Sequence, residues 1–162
     1  MRRDELTLLF DYLYWVRDQV LTAAAELNET EFVSDATVTT RDLRATRVHE
    51  LDVQWSWRER LRSGAFPDGD DLDPADYATL DAIGEHWRRD EAEMRRWLES
   101  LTDEQLQTPL PGQGSGLPLW YFGMHLFSHG LQQFSEAAVQ LSRAGHSPGD
   151  IGFLEFASRR AP

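Results

Sequence analysis

The sequence predicts an all-α protein, a four-helix bundle with a short C-terminal helix. Apolar residues recur at steps of three and four through most of the chain, which is the period of an amphipathic helix. Strand patterns are weak, because isoleucine occurs only twice and no alternating apolar run is bounded by turn residues. Four long amphipathic segments pack most simply as a bundle, and we expect residues 1–162 to form one domain.

The first predicted helix begins near the N-terminus and has one apolar face. That face comprises Leu6, Leu9, Leu13, Val16, Val20, Ala23 and Leu27. Residues 28–38 are predicted to connect it to the second helix. The second helix is predicted to begin with a capping box formed by Thr39 and Asp42. It is predicted to end at Ser63, because Gly64 suits a left-handed cap.

The third predicted helix follows an acidic loop over residues 66–72, which contains Pro67 and Gly69. Asp73 is predicted to cap this helix, with Pro74 at its first helical position. The apolar face continues through Tyr77, Leu80, Gly84, Trp87, Met94, Leu98 and Leu101. The pattern therefore predicts one continuous helix that begins at Pro74.

The last part of the chain is predicted to contain one long helix and two short ones. A short helical turn over residues 102–106 precedes a break over 108–116 that is rich in Pro and Gly. The fourth long helix is predicted to begin near Pro118 and to end by Gly145. Residues 147–150 read SPGD, a cap, a proline and an acid that favour a terminal helix through about residue 158.

Composition and charge exclude several classes of function. The 16 basic residues, all arginine, and the 28 acidic residues give a net charge of −12, which argues against binding to nucleic acid or to anionic membranes. The absence of cysteine excludes disulfides, thiolate zinc sites and a cysteine nucleophile. The sequence has neither a membrane-spanning apolar run nor a signal-peptide pattern, so we expect a soluble, cytoplasmic protein.

One group of residues has the spacing of a binding site. His125, His129 and Gln133 lie four residues apart, so on a helix they form a slanted row. His129 and Gln133 can point at one ion or ligand, with His49 supplied by the second helix, as in bundles that build metal sites between facing helices. His125 and His129 are also compatible with an ordinary solvated face that they share with Gln132, Glu136, Gln140 and Arg143. His49 is also compatible with a hydrogen-bonded, partly buried histidine.

The other histidines and the most charged segment are interpreted as structural. His86 lies next to Trp87 on a charged helix and is expected at the surface, while His146 lies at a helix end, where a positive charge suits the helix dipole. Residues 88–96 alternate basic and acidic side chains, which indicates an ion-paired solvated face rather than a phosphate site. The sequence has no phosphate-binding glycine motif and no nucleophilic-serine motif.

Three segments resemble the signature motifs of the DinB (damage-inducible, YfiT-like) superfamily. Residues 42–58 read DLRATRVHELDVQWSWR, and residues 118–138 begin with PLW and continue through HLFSHG to SEAA. Residues 145–150 read GHSPGD and are followed by FL at 153–154. In the first helix, FDY and Trp15 over residues 10–15 also fit. The resemblance therefore covers nearly the whole chain.

The resemblance implies a bundle of up-down-down-up topology, a homodimer in many members, and a divalent metal, Zn or Ni among others, held by three histidines. His49 and His129 match the first two ligands. Gln133 stands at the position of the third histidine, and Phe134 at that of the arginine that usually follows it. We therefore expect a degenerate centre of His49, His129 and Gln133, which holds Zn or Ni less tightly than three imidazoles do.

Two functions are consistent with this resemblance. One is a thiol-dependent transferase, or a related metal-dependent enzyme, that joins a low-molecular-weight thiol such as mycothiol, bacillithiol or glutathione to an electrophile. The other is a non-enzymatic, stress-related or small-molecule-binding bundle that has lost the metal chemistry. The retained His49 and His129 favour the first function, whereas Gln133 favours the second.

Overall fold

The computed structural model describes residues 1–32, 41–69, 71–110 and 116–160. Four long helices form the bundle: α1 (Arg3–Ala24), α3 (Leu43–Ser63), α4 (Leu80–Ser100) and α6 (Leu119–Arg143). Shorter elements connect or follow them: α2 (Glu29–Phe32), a 3-10 turn (Pro74–Asp76), α5 (Asp103–Gln107) and α7 (Phe153–Arg160). The described part of the chain contains no β-strand, so the predicted all-α class is confirmed.

The four long helices surround one core in the ring order α1, α6, α3, α4. Helix α6 runs parallel to α1 and antiparallel to α3, while α4 runs parallel to α3 and antiparallel to α1. The pairs that set these directions are Leu6 with Gly123, Leu13 with Gly130, Arg47 with Phe134, Trp57 with Phe122, Arg58 with Asp90, Leu61 with Trp97, Asp11 with Arg95, and Arg17 with Glu91. This is the up-down-down-up topology that the resemblance implied.

Helix α3 begins later than predicted. Asp42 is its N-cap rather than a residue of its first turn, because the Asp42 carboxylate accepts a hydrogen bond from the backbone N–H of Ala45 at 2.6 Å. Thr39, the predicted cap, lies outside the described residues. The predicted end at Ser63 is confirmed, and Gly64 follows it with a left-handed φ of 87°.

The prediction of one continuous third helix from Pro74 was wrong. The Asp73 carboxylate accepts a hydrogen bond from the backbone N–H of Ala75 at 2.8 Å, but it caps only the 3-10 turn. Helix α4 has a separate cap, Thr79, whose hydroxyl accepts a hydrogen bond from Ala82 N–H at 3.2 Å. The apolar pattern continues through both elements because both pack against the bundle, so the pattern does not reveal the interruption.

His86 is half-buried, which corrects its predicted place at the surface. Its Nδ1 lies 2.7 Å from the hydroxyl of Tyr77, and the two rings are stacked with centroids 5.9 Å apart. The charged segment around it forms ion pairs as predicted: Arg95 pairs with Glu91 at 2.7 Å, and Arg96 pairs with Glu93. Among the charged residues of segment 88–96, Asp90 departs from the predicted solvated face, because its side chain is buried.

Of the remaining helices, α5 and α6 lie where the sequence predicted them, whereas α7 begins later. Helix α5 forms where a short turn was predicted, and α6 begins directly after Pro118. Helix α2 lies within the predicted connection, whose residues 33–38 fall outside the described part. Residues 147–152 are not helical, so α7 begins later than predicted. None of the described helices is long and apolar enough to cross a membrane.

The inward stripe of α3 is polar at its centre. Leucines mark its two ends, Leu43 and Leu61, and both are buried. Between them, four buried polar side chains occupy positions that should carry apolar residues in a simple bundle. They are Arg47, Glu50, Gln54 and Arg58. This stripe lies between α4 and α6, and it supplies most of the residues of the site described next.

Candidate metal centre

Two of the predicted ligands lie side by side between α3 and α6. The ring centroids of His49 and His129 are 5.5 Å apart, in a T-shaped arrangement. Both side chains are half-buried. Two imidazoles on one tetrahedral zinc ion have centroids about 5 Å apart, given Zn–N bonds of about 2.0–2.1 Å. The observed separation is therefore close to the one that a shared ion requires.

A buried carboxylate orients the second of these histidines. Nδ1 of His129 lies 2.6 Å from Oε2 of Glu50, whose side chain is almost completely buried. The other carboxylate oxygen, Oε1, accepts a hydrogen bond from the side-chain amide of Gln54 at 2.7 Å. Both oxygens of Glu50 are thus occupied, and the bond at Nδ1 leaves Nε2 of His129 as the nitrogen available to a ligand.

The surrounding charges favour the protonated form of His129 and the neutral form of His49. The hydrogen bond to Glu50 raises the pKa of His129, so the protonated ring is stabilised and a metal ion must displace the proton on Nε2 in order to bind there. Burial lowers the pKa of His49, and the neighbouring charges of Arg41 and His129 lower it further. Burial also raises the pKa of Glu50, against the opposing effect of its bond with His129. A neutral His49 has the free lone pair that a metal ligand needs.

Gln133 is buried one helical turn beyond His129. Its side chain is 5% exposed, and its Oε1 has no hydrogen-bond partner among the described residues. A buried amide oxygen without a donor destabilises the fold, unless a cation or another donor satisfies it. The residue therefore fits the role of an oxygen ligand, although a neutral amide binds Zn or Ni more weakly than imidazole.

No cluster of three or more His, Asp or Glu residues in the described ranges is arranged to hold a metal ion. A centre built on His49 and His129 therefore needs a different third donor from the protein. Gln133 has a buried amide oxygen without a hydrogen-bond partner in the described ranges, so the types of residue present are compatible with a weak site of two nitrogen ligands and one oxygen ligand.

His125 lies at the outer rim of this group. It is exposed, with its ring centroid 6.2 Å from that of His129 and 5.4 Å from that of Trp57. The interpretation of the row as a solvated face holds for His125. It is wrong for His129, because that side chain is half-buried and bonded to a buried carboxylate.

A glycine allows Glu50 to reach this position. A Cβ atom added at Gly130 would lie 2.6 Å from Oε1 of Glu50 and 3.0 Å from Cδ2 of Leu13. Any larger residue would therefore push the carboxylate or α1 away from α6. Gly130 directly follows His129, so the approach of α3 to α6 and the bond between Glu50 and His129 depend on the same glycine.

The family model of the DinB family matches residues 1–160. The chain belongs to the DinB family. The three motifs quoted from the sequence therefore identified the family correctly, and the match extends over all the described helices. No curated protein matches the sequence.

This DinB-family chain also buries an arginine beside the centre. Arg47 is completely buried, and its guanidinium carbon lies 5.2 Å from the ring centroid of Phe134. None of its three side-chain nitrogens has a hydrogen-bond partner in the described ranges. Burial, together with the nearby charge of Arg17, lowers the pKa of Arg47 to about 9. A group with this pKa is still protonated at neutral pH.

Sequence reasoning missed three functional candidates of this DinB bundle: Arg47, Glu50 and Gln54. Their spacing of three and four residues, between Leu43 and Leu61, was a signal that they face the interior. Their partners could not be read from the same pattern, since Glu50 and His129 are 79 residues apart in sequence.

Proposed function

We propose that this DinB-family protein binds a divalent transition metal, Zn or Ni, between α3 and α6 through His49, His129 and Gln133. We further propose that it transfers a low-molecular-weight thiol to an electrophile. The observation that carries the proposal is the bond between Glu50 and His129 beside His49. Histidines that bind metals commonly donate their other ring nitrogen to a carboxylate in this way.

Each residue has a separate task in the proposed centre. His49 and His129 supply imidazole nitrogens, and Gln133 supplies its amide oxygen. Glu50 fixes the orientation of His129 by accepting its Nδ1–H, while the amide of Gln54 holds Glu50 in place. The buried carboxylate also stabilises the positive charge that develops at His129 when it binds a cation.

The thiol in this proposal comes from a small molecule, because the chain has no cysteine. Metal bound at the centre would lower the pKa of that thiol and so increase the fraction present as the nucleophilic thiolate. The half-buried His49 and His129 lie between α3 and α6. Beside them, Trp57 stacks against Phe122 with ring centroids 6.0 Å apart and contacts the ring of His125, so apolar side chains flank the proposed centre.

A second candidate function is a small-molecule-binding bundle without metal chemistry. It is favoured by the amide at Gln133 and by the lack, in the described part, of three clustered His, Asp or Glu side chains. Under this alternative, the bundle binds its ligand through shape and hydrogen bonds alone, and the purified protein turns over no thiol.

Restoring the third imidazole tests the metal site. In Gln133→His, we expect the affinity for Zn to rise by at least about tenfold in calorimetric titrations of tag-free protein, because imidazole is the better ligand. The apparent melting temperature should rise with added Zn as well. Adding His49→Ala to this variant should abolish the gain, whereas adding His125→Ala should preserve it. Equal Zn affinity in the parent and in Gln133→His would contradict the proposed centre.

Thiol transfer is tested separately with the metal-loaded parent. Mycothiol, bacillithiol and glutathione are each incubated with an electrophilic chromogenic probe, and loss of free thiol is followed. We expect one of them to be consumed faster than in buffer with the same metal, and His49→Ala to remove the acceleration. Metal binding without any acceleration would favour the second candidate function.

We also propose that the protein forms a homodimer. Large apolar side chains remain exposed on α6 and α7, among them Val139, which is 46% exposed, and Leu154, which is 82% exposed. Exposed apolar surface of this kind is stabilised by burial against another molecule, and twofold dimers are the commonest closed assemblies. Sedimentation at micromolar concentration should give a dimer, and a monomer under these conditions would contradict this proposal.

A further inference from the structure

Arg47 has a buried positive charge that the described residues do not neutralise by direct contact. Its exposure is 0%, and Nε, Nη1 and Nη2 all lack hydrogen-bond partners among the residues described. Arginine does not normally lose its proton in proteins. A buried, charged donor group without acceptors is strongly destabilising, so such an arrangement indicates a group that a ligand completes.

The side chains around Arg47 add further unused donors. Three buried donor atoms besides those of Arg47 have no partner within the described ranges: Nη1 of Arg17, the hydroxyl of Tyr14 and Nε1 of Trp87. The ring centroid of Phe134 lies 5.2 Å from the Arg47 guanidinium and 5.8 Å from the ring of Trp87, and the Arg17 guanidinium lies 4.9 Å from the ring of Tyr14. Arg17 lies over Trp87 at 5.6 Å. We call Arg47, Arg17, Tyr14 and Trp87 the donor cluster.

The nearby acids are already engaged by other groups. Both carboxylate oxygens of Glu50 accept hydrogen bonds, one from Gln54 and one from His129. Arg17 is neutralised by Asp18 at 2.7 Å and by Glu91 at 2.6 Å. The cluster therefore offers donors and, at Arg47, a positive charge that no described acceptor contacts directly, which is the chemistry that attracts an anion.

We propose that Arg47 anchors an anion site within the bundle that takes the carboxylate group of a small-molecule ligand. The planar guanidinium fork matches a carboxylate with two parallel hydrogen bonds. A monoanion balances the single charge of Arg47, whereas a phosphate dianion would leave excess negative charge beside the buried carboxylate of Glu50. The ligand is therefore a small carboxylic acid rather than a phosphate ester.

The anion site and the metal centre are adjacent. On α3, Glu50 lies one turn beyond Arg47 on the same face, whereas His49 points to the other side of the helix, so the two sites meet at Glu50, which bonds His129. A molecule with its carboxylate at Arg47 would extend past Glu50 to place its reactive part near His129. This assignment of the carboxylic acid as the electrophilic substrate rests on the proposed function, whereas the anion site itself does not.

Access to Arg47 requires movement of the side chains that cover it. Because the guanidinium has no exposed surface, an anion can reach it only when neighbouring side chains shift. Formate, the smallest carboxylate, is for this reason the appropriate probe.

The experiment measures thermal unfolding of the full chain in EDTA at pH 7.5, with increasing sodium formate and with equal concentrations of sodium chloride as the control. We expect formate to raise the melting temperature in a saturable way beyond the effect of chloride, because a ligand that binds only the folded state stabilises it. Inorganic phosphate at the same ionic strength should give a smaller shift. A larger shift with phosphate would overturn the assignment to a carboxylate.

Variants assign the effect to the proposed anchor. Arg47→Met should lose the formate-dependent shift, and Arg47→Lys, which keeps the charge but not the fork, should weaken formate binding by at least about tenfold. Arg62→Met is the matched control, since Arg62 is an exposed arginine of the same helix, and it should retain the full shift. Equal formate shifts in the parent and in Arg47→Lys, or no saturable shift in the parent, would overturn the proposal.

Failure of this test is distinguishable from failure of the metal proposal. The formate titration is carried out in EDTA, so its outcome does not depend on metal, and the Zn titration of Gln133→His is carried out without formate. A formate shift without Zn binding would support the anion site and overturn the metal centre. Zn binding without a formate shift would support the metal centre and overturn the anion site.

Discussion

Arg47 and Arg58 lie on the same inward stripe of α3, and both are buried, yet their surroundings are opposite. Nη1 of Arg58 bonds the carboxylate of Asp90 and its backbone oxygen, the latter at 2.9 Å. Arg47 faces α6 and packs on the ring of Phe134, with no acceptor for its nitrogens among the described residues. The buried arginine that meets an acid on the facing helix, Arg58, therefore has a structural role. The buried arginine that meets no acid, Arg47, keeps donors with which a ligand could form hydrogen bonds.

The largest expected effect comes from breaking the paired arginine. Arg58→Met leaves the buried Asp90 carboxylate without its cation, and we expect the free energy of unfolding at pH 7.5 to fall by about 3–5 kcal/mol. Urea unfolding measures this loss. Arg62→Met is the matched control and should change stability by no more than about 0.5 kcal/mol, because that side chain is exposed. A loss of less than about 1 kcal/mol in Arg58→Met would show that the pairing of Arg58 with Asp90 does not stabilise the fold, and the distinction between Arg58 and Arg47 would then fail.

The paired arginine also predicts a pH dependence. Burial raises the pKa of Asp90 from 3.8 to about 6, and Arg58 only partly opposes this. A carboxyl group with a raised pKa in the folded state contributes stability that is complete below about pH 4 and is lost as the pH rises through about 6. The total is about 3 kcal/mol for a shift of this size.

Comparison with Asp90→Asn isolates this effect, because the variant lacks the titrating group. Between pH 4 and pH 7.5, the stability of the parent should fall relative to that of Asp90→Asn, as measured by urea unfolding at each pH. A difference that stays constant over this range, or that changes with the opposite sign, would show that Asp90 does not titrate with a raised pKa.

The unpaired arginine should respond in the opposite direction. Arg47→Met removes a buried charge that has no acceptor in the described part of the chain, so we expect stability in EDTA and without formate to rise by about 1–3 kcal/mol. Urea unfolding gives the sign directly. A loss comparable to that of Arg58→Met would mean that Arg47 has a neutralising partner within the bundle, and the comparison of the two arginines would fail.

The smallest expected effect concerns Glu50, which lies between the two arginines on the stripe. Glu50→Gln keeps the shape but removes the charge that orients His129, and we expect affinity for Zn to fall by about tenfold or more in calorimetric titrations. Glu59→Gln, which changes a partly exposed acid of the same helix, should leave Zn affinity unaltered. Equal affinities in the two variants would show that Glu50 has no part in metal binding.

The helices were predictable because their signals are local. Apolar period and capping residues placed α1, α5, α6 and the end of α3 within a few residues of their observed bounds. The error at Pro74 arose because a 3-10 turn and α4 share one apolar face, and a cap such as Thr79 gives a weaker signal than Asp73 followed by proline. His86 was misplaced for a related reason, since its partner Tyr77 directly follows that misassigned turn.

The candidate site was only partly predictable. Helical spacing and the family resemblance selected His49 and His129, and the fold brings their rings together. The ligand role of Gln133 stays a prediction, which the Zn titration tests. Glu50 was not selected, because a glutamate beside a histidine is common on solvated helices, and nothing in the local pattern indicates that it bonds a histidine of another helix.

The sequence by itself determined the helical class, the long helices and most of their ends, because these depend on residues within a turn or two of one another. Only the tertiary structure decided which polar residues of α3 are satisfied. Arg58 meets Asp90 across 32 residues of sequence, and Glu50 meets His129 across 79. Arg47 meets the ring of Phe134 instead. Such pairings depend on which helices become neighbours, and helix periodicity has no information about that choice.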